Sequence, residues 1–246
     1  MLPRFYAPDL DVELASVLLP AEEARHLTRV LRLGAGAEVA IFDGRGAEFR
    51  AVVEAAVRET ATVRILERLP SPPAPAVRVV LVQAVLKGDG MDAAVRDATM
   101  MGAHTIQPVL TDHTDVKPSV ARRPETLDRW RRVALASVKQ CRRATLPVIP
   151  DVKTVDRWMA APSDGMRLIF VEPVAGVAIR SVRSLLSEPT PVSASVLLGP
   201  EGGWSLAEIE TSRASGCIPV SLGPLTLRAE SMPVAALAAL QVAWPT

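Results

Sequence analysis

Ser195-Val196-Leu197-Leu198-Gly199-Pro200-Glu201-Gly202-Gly203-Trp204-Ser205 is the stretch that decides the fold. It begins as an apolar run of strand length, breaks at Gly199-Pro200, and ends on a residue suited to cap a helix. Ser205 with Glu208 three positions on forms a capping box, and Gly216 stands where a helix over 205–215 would close. Strand, glycine-rich turn and capped helix in that order make a strand–helix unit of a parallel α/β sheet.

The same alternation extends in both directions. Val77 to Val85 is a nearly continuous apolar run, the pattern of a strand covered on both faces. Helical spacing follows over 91–101, and 104–110 reads as a strand. A long helix is expected over 125–142, with Leu127, Trp130, Ala134, Val138 and Cys141 on one side. Strands over 167–171 and 218–222 and a last helix over 232–243 complete the set. Upstream, Pro70-Ser71-Pro72-Pro73-Ala74-Pro75 holds four prolines in six residues and reads as a stiff linker. Domains are therefore expected over 1–72 and 73–246. The first is mostly β: strands at 39–42, 47–53 and 61–66, with Asp43-Gly44-Arg45-Gly46 as a turn. One helix interrupts it, begun at Pro20 and favoured by Glu22 and Glu23 at its N-terminus. Leu27, Val30 and Leu31 are its expected apolar stripe, and Arg25, Arg29 and Arg32 its basic face. A small β-barrel with a basic helix is the expected architecture.

Composition excludes several classes. Hydrophobic residues make up 49% of 246, enough for a large core. Residues 1–10 have no apolar run resembling a signal peptide, and 234–244 is too short to cross a bilayer. Cys141 and Cys217 lie far apart and no metal-ligand spacing exists, so no metal site is expected and a reducing cytoplasm is the simplest compartment. The net charge of +1 is uninformative, but 117–143 holds nine basic residues against Glu125 and Asp128. That is either a solvated helix face or a footprint for phosphate.

Ligands of open parallel sheets bind beyond the carboxyl ends of the strands, and three segments qualify. Gly199 to Gly203 allows close backbone approach; it is neither a Walker A loop nor GxGxxG, and Glu201 would repel phosphate. The second segment is 222–230, ending in Arg228-x-Glu230. The third is Phe170-Val171-Glu172-Pro173. Taken singly, each is either a ligand cradle or an ordinary strand exit. Lys87 is either a phosphate contact or a solvated lysine, and His26, His104 and His113 lack partners in sequence and read as structural or exposed.

Taken together and in order, these residues resemble the RsmE family of 16S rRNA uridine N3-methyltransferases, of the SPOUT class. Gly199-Pro200-Glu201-Gly202-Gly203, Leu222-Gly223-Pro224 and Arg228-x-Glu230 carry the resemblance most strongly. His26-Leu27-x-Arg29-Val30-Leu31-Arg32 is similar to the helix of the family's PUA-like domain. Gln83-Ala84 with Lys87-Gly88-Asp89 and Met91-Asp92, Ala98-Thr99 with Gly102 and Pro108, and Gln140-Cys141 with Arg143 and Pro147 match its catalytic domain. The chain departs from the pattern at Ala229 and Ser231, where threonines are usual, at Met100-Met101, and at Arg142, where glycine is usual. It departs also at Thr111-Asp112-His113-Thr114, which replaces a Ser-Glu-Arg-Ser type segment, and at Met232-Pro233.

The resemblance implies a PUA-like β-barrel followed by an α/β SPOUT domain with a trefoil knot, in a homodimer. It implies S-adenosylmethionine held by Val171, Glu172, Pro173, Leu197, Leu198, Gly199, Glu201, Gly202, Gly203, Leu222, Gly223, Leu227 and Arg228. It implies 16S rRNA of the small ribosomal subunit as partner. Within it, Arg228 is expected to stabilise a uridine anion or to orient the loop, and Glu230 to hold Arg228 or remove a proton. Arg25, Arg29, Arg32, Lys87, Arg129, Arg132, Arg142 and Arg143 are expected to meet RNA. A SPOUT ribose 2′-O-methyltransferase and a catalytically impaired RNA-binding or ribosome-assembly protein remain the alternatives.

Overall fold

The computed structural model describes residues 2–70, 72, 75–162, 165–173 and 177–244. The chain divides into two units, Met1–Pro73 with Val138–Leu146, and Ala74–Ser137 with Pro147–Thr246. The proline-rich stretch expected as a linker lies partly outside the described residues; Pro70, Pro72 and Pro75 are described and belong to no helix or strand.

The first unit is built on β1 (Arg4–Tyr6), β2 (Ser16–Leu18), β3 (Glu38–Phe42), β4 (Glu48–Val57) and β5 (Thr60–Arg68), hydrogen-bonded in the order β1-β3-β4-β5-β2. β1 runs parallel to β3 and the other pairs are antiparallel. Phe5, Val39, Ile41, Ala51, Val53 and Val63 fill the core on one face. The helix of this unit is shorter than its sequence suggests. α1 (Ala21–Arg25) passes into a π-helical turn over His26–Val30, closed by the Leu31 N–H on the His26 carbonyl. The wider turn rotates the following side chains. Leu27 is buried, but Val30 and Leu31, expected in the same apolar stripe, are exposed. The regular basic face is lost for the same reason: Arg25 and Arg29 both approach Glu59, at 3.2 and 3.7 Å, whereas Arg32 follows the turn with φ of 54°.

Val138–Leu146 joins this unit through a buried cation, a second ion pair and backbone bonds between Gly44 and Leu146 and between Gly46 and Ala144. The Arg4 guanidinium pairs with both oxygens of Glu48, at 2.8 and 3.0 Å, and donates to the carbonyls of Val138, Lys139 and Arg143. The carbonyls of Val138 and Lys139 lie in the last turn of the long helix α4, defined below, where the helix dipole favours a cation. Lys139 pairs with buried Glu23. Arg142, immediately after the helix, has φ of 67°. A left-handed backbone there is the glycine C′ position of a helix, which explains physically why glycine is usual at this site. Arg142→Gly is therefore expected to stabilise the protein by about 1 kcal/mol. Its apparent Tm should rise by roughly 2–4 °C in a thermal scan; an unchanged or lower Tm would show that the arginine side chain compensates.

The second unit is a parallel sheet of seven strands: β6 (Arg78–Ala84), β7 (Thr105–Leu110), β8 (Lys153–Thr154), β9 (Met166–Phe170), β10 (Arg180–Ser181), β11 (Ser193–Leu198) and β12 (Ile218–Ser221), in the order β10-β12-β9-β11-β6-β7-β8. Its helices are α2 (Gly90–Met100), α3 (Pro118–Ala121), α4 (Pro124–Cys141), α5 (Val155–Met159), α6 (Leu206–Ala214) and α7 (Met232–Ala243). Strand residues alternate between two cores. Leu81, Leu168 and Leu198 pack with α2, α4 and α7; Val82, Ile169 and Leu197 pack with α5 and α6. A strand buried on both faces takes apolar residues at most positions, which is why these read as apolar runs; Gln83, Gln107, Arg167 and Ser195 are the buried polar exceptions. The long elements lie where the sequence places them, within one or two residues at either end. Ser205 and Glu208 form the expected capping box, and Gly216 follows α6 with φ of 82°. Among the described residues no helix is long and apolar enough to cross a membrane, and no group of three or more His, Cys, Asp or Glu could hold a metal ion.

Candidate active site

Four strands that are neighbours in the sheet, β12, β9, β11 and β6, point their carboxyl ends the same way. The segments leaving them line a cavity of about 700 Å3. Phe170 to Pro173 comes from β9, Gly199 to Trp204 from β11, Ser221 to Met232 largely from the exit of β12, and Lys87 and Gly90 from β6. A parallel sheet forces this convergence, because every strand delivers its exit to the same edge.

The loop after β11 is held by its neighbours. Pro200 to Gly203 forms a turn, closed by the Gly203 N–H on the Pro200 carbonyl at 3.0 Å, with φ of 68° at Gly203. The Trp204 indole N–H donates to the Phe170 carbonyl at 3.0 Å and ties this loop to the β9 exit. The indole lies against Gly199, where an added Cβ would stand 3.2 Å from its nitrogen. Glu201 Oε1 accepts the Lys87 backbone N–H at 2.9 Å. The Glu201 carboxylate, expected to face a ligand, thus also fastens the β11 loop to the β6 exit. Lys87 pairs with Asp115; that hydrogen bond, and more weakly the Glu201 charge, raise its pKa above the ordinary lysine value. Ser221 Oγ donates to the Gly223 carbonyl at 2.9 Å and accepts the Gly223 N–H at 3.1 Å, which shapes the third loop.

Most residues expected at the donor meet here: Val171, Glu172, Pro173, Gly199, Glu201, Gly202, Gly203, Leu222, Gly223, Leu227 and Arg228 all line the cavity. Leu197 and Leu198 do not. They are correctly part of β11 but fully buried, one in each core, as alternation in a doubly covered strand requires. The expectation had not included Pro200, Trp204, Thr226 or Met232, which are lining residues. Lys87, expected at RNA, also lines the cavity.

Arg228 and Glu230 stand at the same cavity. The Arg228 side chain is 87% exposed, and its nearest approach to Glu230 is 3.8 Å, beyond hydrogen-bond length. An exposed pair at that distance holds neither partner firmly, so Arg228 is available to another anion.

The cations expected at RNA differ in freedom. Arg129 is occupied by Asp89 at 2.7 Å and Asp92, whose hydrogen bonds raise its pKa. Arg143 donates to Thr145 Oγ1 at 3.2 Å, and burial lowers its pKa. Arg32, Arg132 and Arg142 are exposed. Arg58, not singled out in the sequence, stands exposed at the β4–β5 turn with φ of 52°, beside Glu59, which Arg25 and Arg29 approach. Burial pushes the Cys217 thiol up to about 11, which keeps it protonated and unreactive at neutral pH.

Comparisons with known proteins identify the family. The family model described as the RNA methyltransferase domain matches residues 72–241, and that described as the RNA methyltransferase PUA domain matches 19–66. The chain is 34% identical over 242 residues to ribosomal RNA small subunit methyltransferase E of Synechocystis sp., covering 94% of this chain and 74% of that one. A methyltransferase of Legionella pneumophila, solved with the cofactor SAM bound, superimposes with a TM-score of 0.89 at 27% identity, over 99% of this chain and 98% of the other. Ribosomal RNA small subunit methyltransferase E of Neisseria gonorrhoeae, bound to S-adenosyl methionine, does so with a TM-score of 0.87, also at 27% identity and with coverage of 99% and 98%.

Proposed function

The chain belongs to the RNA methyltransferase family that includes ribosomal RNA small subunit methyltransferase E, and from that premise we propose that it methylates N3 of a uridine in 16S ribosomal RNA with S-adenosylmethionine as donor. The observation that carries the reading is the convergence of the β12, β9, β11 and β6 exits on one cavity with Arg228 exposed at it.

The residues fit the donor. A cavity of about 700 Å3 falls in the range of small-molecule sites. Phe170, Val171, Leu222 and Leu227 supply apolar wall for an adenine ring, and the glycine-rich backbone supplies groups for its edge. Glu172 and Glu230 place carboxylates where a sulfonium is tolerated. S-adenosylmethionine, when bound, supplies an electrophilic methyl group. The chain's own contribution is alignment and charge. The cavity-lining loops fix the donor's place, and in-line displacement gains most of its rate from such positioning. Uridine N3 is paired inside a helix, so the base must be unpaired or turned out to be reached. N3–H must also lose its proton, which passes to solvent water, and the Arg228 guanidinium stabilises the anion that forms. Glu230 orients Arg228 when the acceptor brings the loop together.

RNA phosphate is met by exposed arginines of each unit. Arg25, Arg29, Arg32 and Arg58 serve in the first, and Arg132 in the second, with Arg129 held back by its two carboxylates. The trefoil knot belongs to this reading and is supported by strand order: β12 is laid between β9 and β10, both of which precede it in the chain. A homodimer is supported by α7, which carries no charged residue and leaves Val234, Ala238 and Val242 exposed. A second copy covering that face would bury it.

Calorimetry tests the reading against that of a binding module. Titration of the protein with S-adenosylmethionine is expected to give saturable heat at one site per chain. No heat at donor concentrations up to the millimolar range would leave only RNA binding.

A further inference from the structure

The segment Thr111–Thr114, between β7 and α3, reaches the donor loop from the outside. It is rigid in itself: Thr114 Oγ1 accepts the Thr111 N–H at 3.0 Å and lies 2.8 Å from Thr111 Oγ1. Asp112 ties it to the start of α6, donating its N–H to Glu208 Oε1 at 2.9 Å and accepting from Ser205 Oγ at 2.7 Å. The next residue, His113, places ring Nδ1 3.0 Å from the Gly202 carbonyl and 3.2 Å from the Gly203 carbonyl. Its Cβ closes against Gly202 so tightly that a Cβ added there would stand 2.9 Å away.

Both partners of Nδ1 are carbonyl oxygens, which only accept. Nδ1 must therefore carry the proton, and Nε2 is left as the free ring nitrogen. The bond fixes peptide orientation as well as position. In a trans peptide the N–H points opposite to the carbonyl, so a Gly203 carbonyl held at His113 turns the Trp204 N–H away from His113. His113 is not among the cavity-lining residues, so its action on a ligand is through the loop.

We propose that His113 is a positioning residue for the methyl-donor loop: as the Nδ1–H tautomer it clamps the Gly202 and Gly203 carbonyls from behind, holding the turn in its donor-binding shape. This rests on the reading of the cavity as the S-adenosylmethionine site. A histidine performs here what no sequence spacing indicates, since 89 residues separate it from Gly202.

The test uses His113→Ala, His113→Asn and His113→Gln in the full-length protein. Asn carries its amide N–H at the δ position, where Nδ1 stands, and replaces the bond. Gln carries it one bond further out, away from where Nδ1 stands. Ala and Gln are expected to weaken S-adenosylmethionine binding in calorimetry about tenfold, the worth of a net hydrogen bond or slightly more. Asn should stay within about threefold of the parent, and all four proteins should melt within a few degrees of one another. In turnover assays the Ala loss should fall on KM for the donor, with kcat at saturating donor largely kept. Long-range 1H–15N spectra of the parent without donor should show neutral His113 as the Nδ1–H tautomer. Ala binding as tightly as the parent, Asn failing to rescue, or an Nε2–H tautomer would overturn the proposal. If the parent itself binds no donor, the site reading fails and takes the role of His113 with it. The tautomer spectrum then still reports separately whether the clamp exists.

Discussion

Arg228→Ala is expected to lower kcat for RNA methylation by a factor of about 100 to 1,000, while affinity for S-adenosylmethionine changes by less than about threefold. The split follows from where the side chain stands. It is 87% exposed, 3.8 Å from its nearest carboxylate, and contributes little to holding the loop. Its charge matters only when an anion forms beside it, and an interaction made only then lowers kcat and kcat/KM together. Arg228→Lys should recover part of the loss by keeping the charge without the planar fork. Single-turnover methylation of unmodified small subunits measures it. An Ala variant turning over at the parental rate would remove Arg228 from the chemistry.

The second large effect is at Gly202. Gly202→Val is expected to weaken donor binding by a factor of about 30 to 100, corresponding to an overpacking cost of roughly 2–3 kcal/mol. A side chain there meets His113 Cβ at 2.9 Å and the His113 carbonyl at 3.5 Å. Both atoms are fixed to backbone, so the turn must leave its place. Gly34→Ala is the control, since nothing lies within 4 Å of a Cβ at Gly34. Calorimetry on the two variants should separate them cleanly; equal affinities would mean that the loop does not shape the donor site.

What the sequence disclosed depends on how far each feature reaches along the chain. β6, β7, β9 and β11 are mostly apolar because both faces of a parallel sheet are covered, with Gln83, Gln107, Arg167 and Ser195 as buried polar exceptions, and that pattern is local. The loops 199–203 and 222–228 are legible for the same reason, the first as a glycine-rich turn and the second as a Gly-Pro break, each directly after a strand. Leu197 and Leu198 lie outside the cavity lining, since strand alternation assigns one side chain to each core. Strands of two or three residues, β1, β2, β8 and β10, carry no period to detect.

The contacts that fasten the site are of another kind. Trp204 lies within the stretch that marks the fold, yet its bond to Phe170 exists only because β9 lies beside β11. Glu201 reaches Lys87 because β6 flanks β11 on the other side. His113 is exposed, and its partners are far away in sequence. The inclusion of Val138–Leu146 in the first unit was equally hidden, because helical periodicity runs through α4 without a break. Arg142 is the converse case: a departure from the family pattern visible in the sequence acquires its meaning from one backbone angle.

Nucleoside mass spectrometry tests the central claim most directly. Unmodified 16S ribosomal RNA, in small subunits, is incubated with the protein and methyl-labelled S-adenosylmethionine, then digested to nucleosides. The account predicts label in N3-methyluridine and in no ribose-methylated nucleoside. Label in a 2′-O-methyl nucleoside, or RNA that remains unlabelled while donor binds, would contradict it.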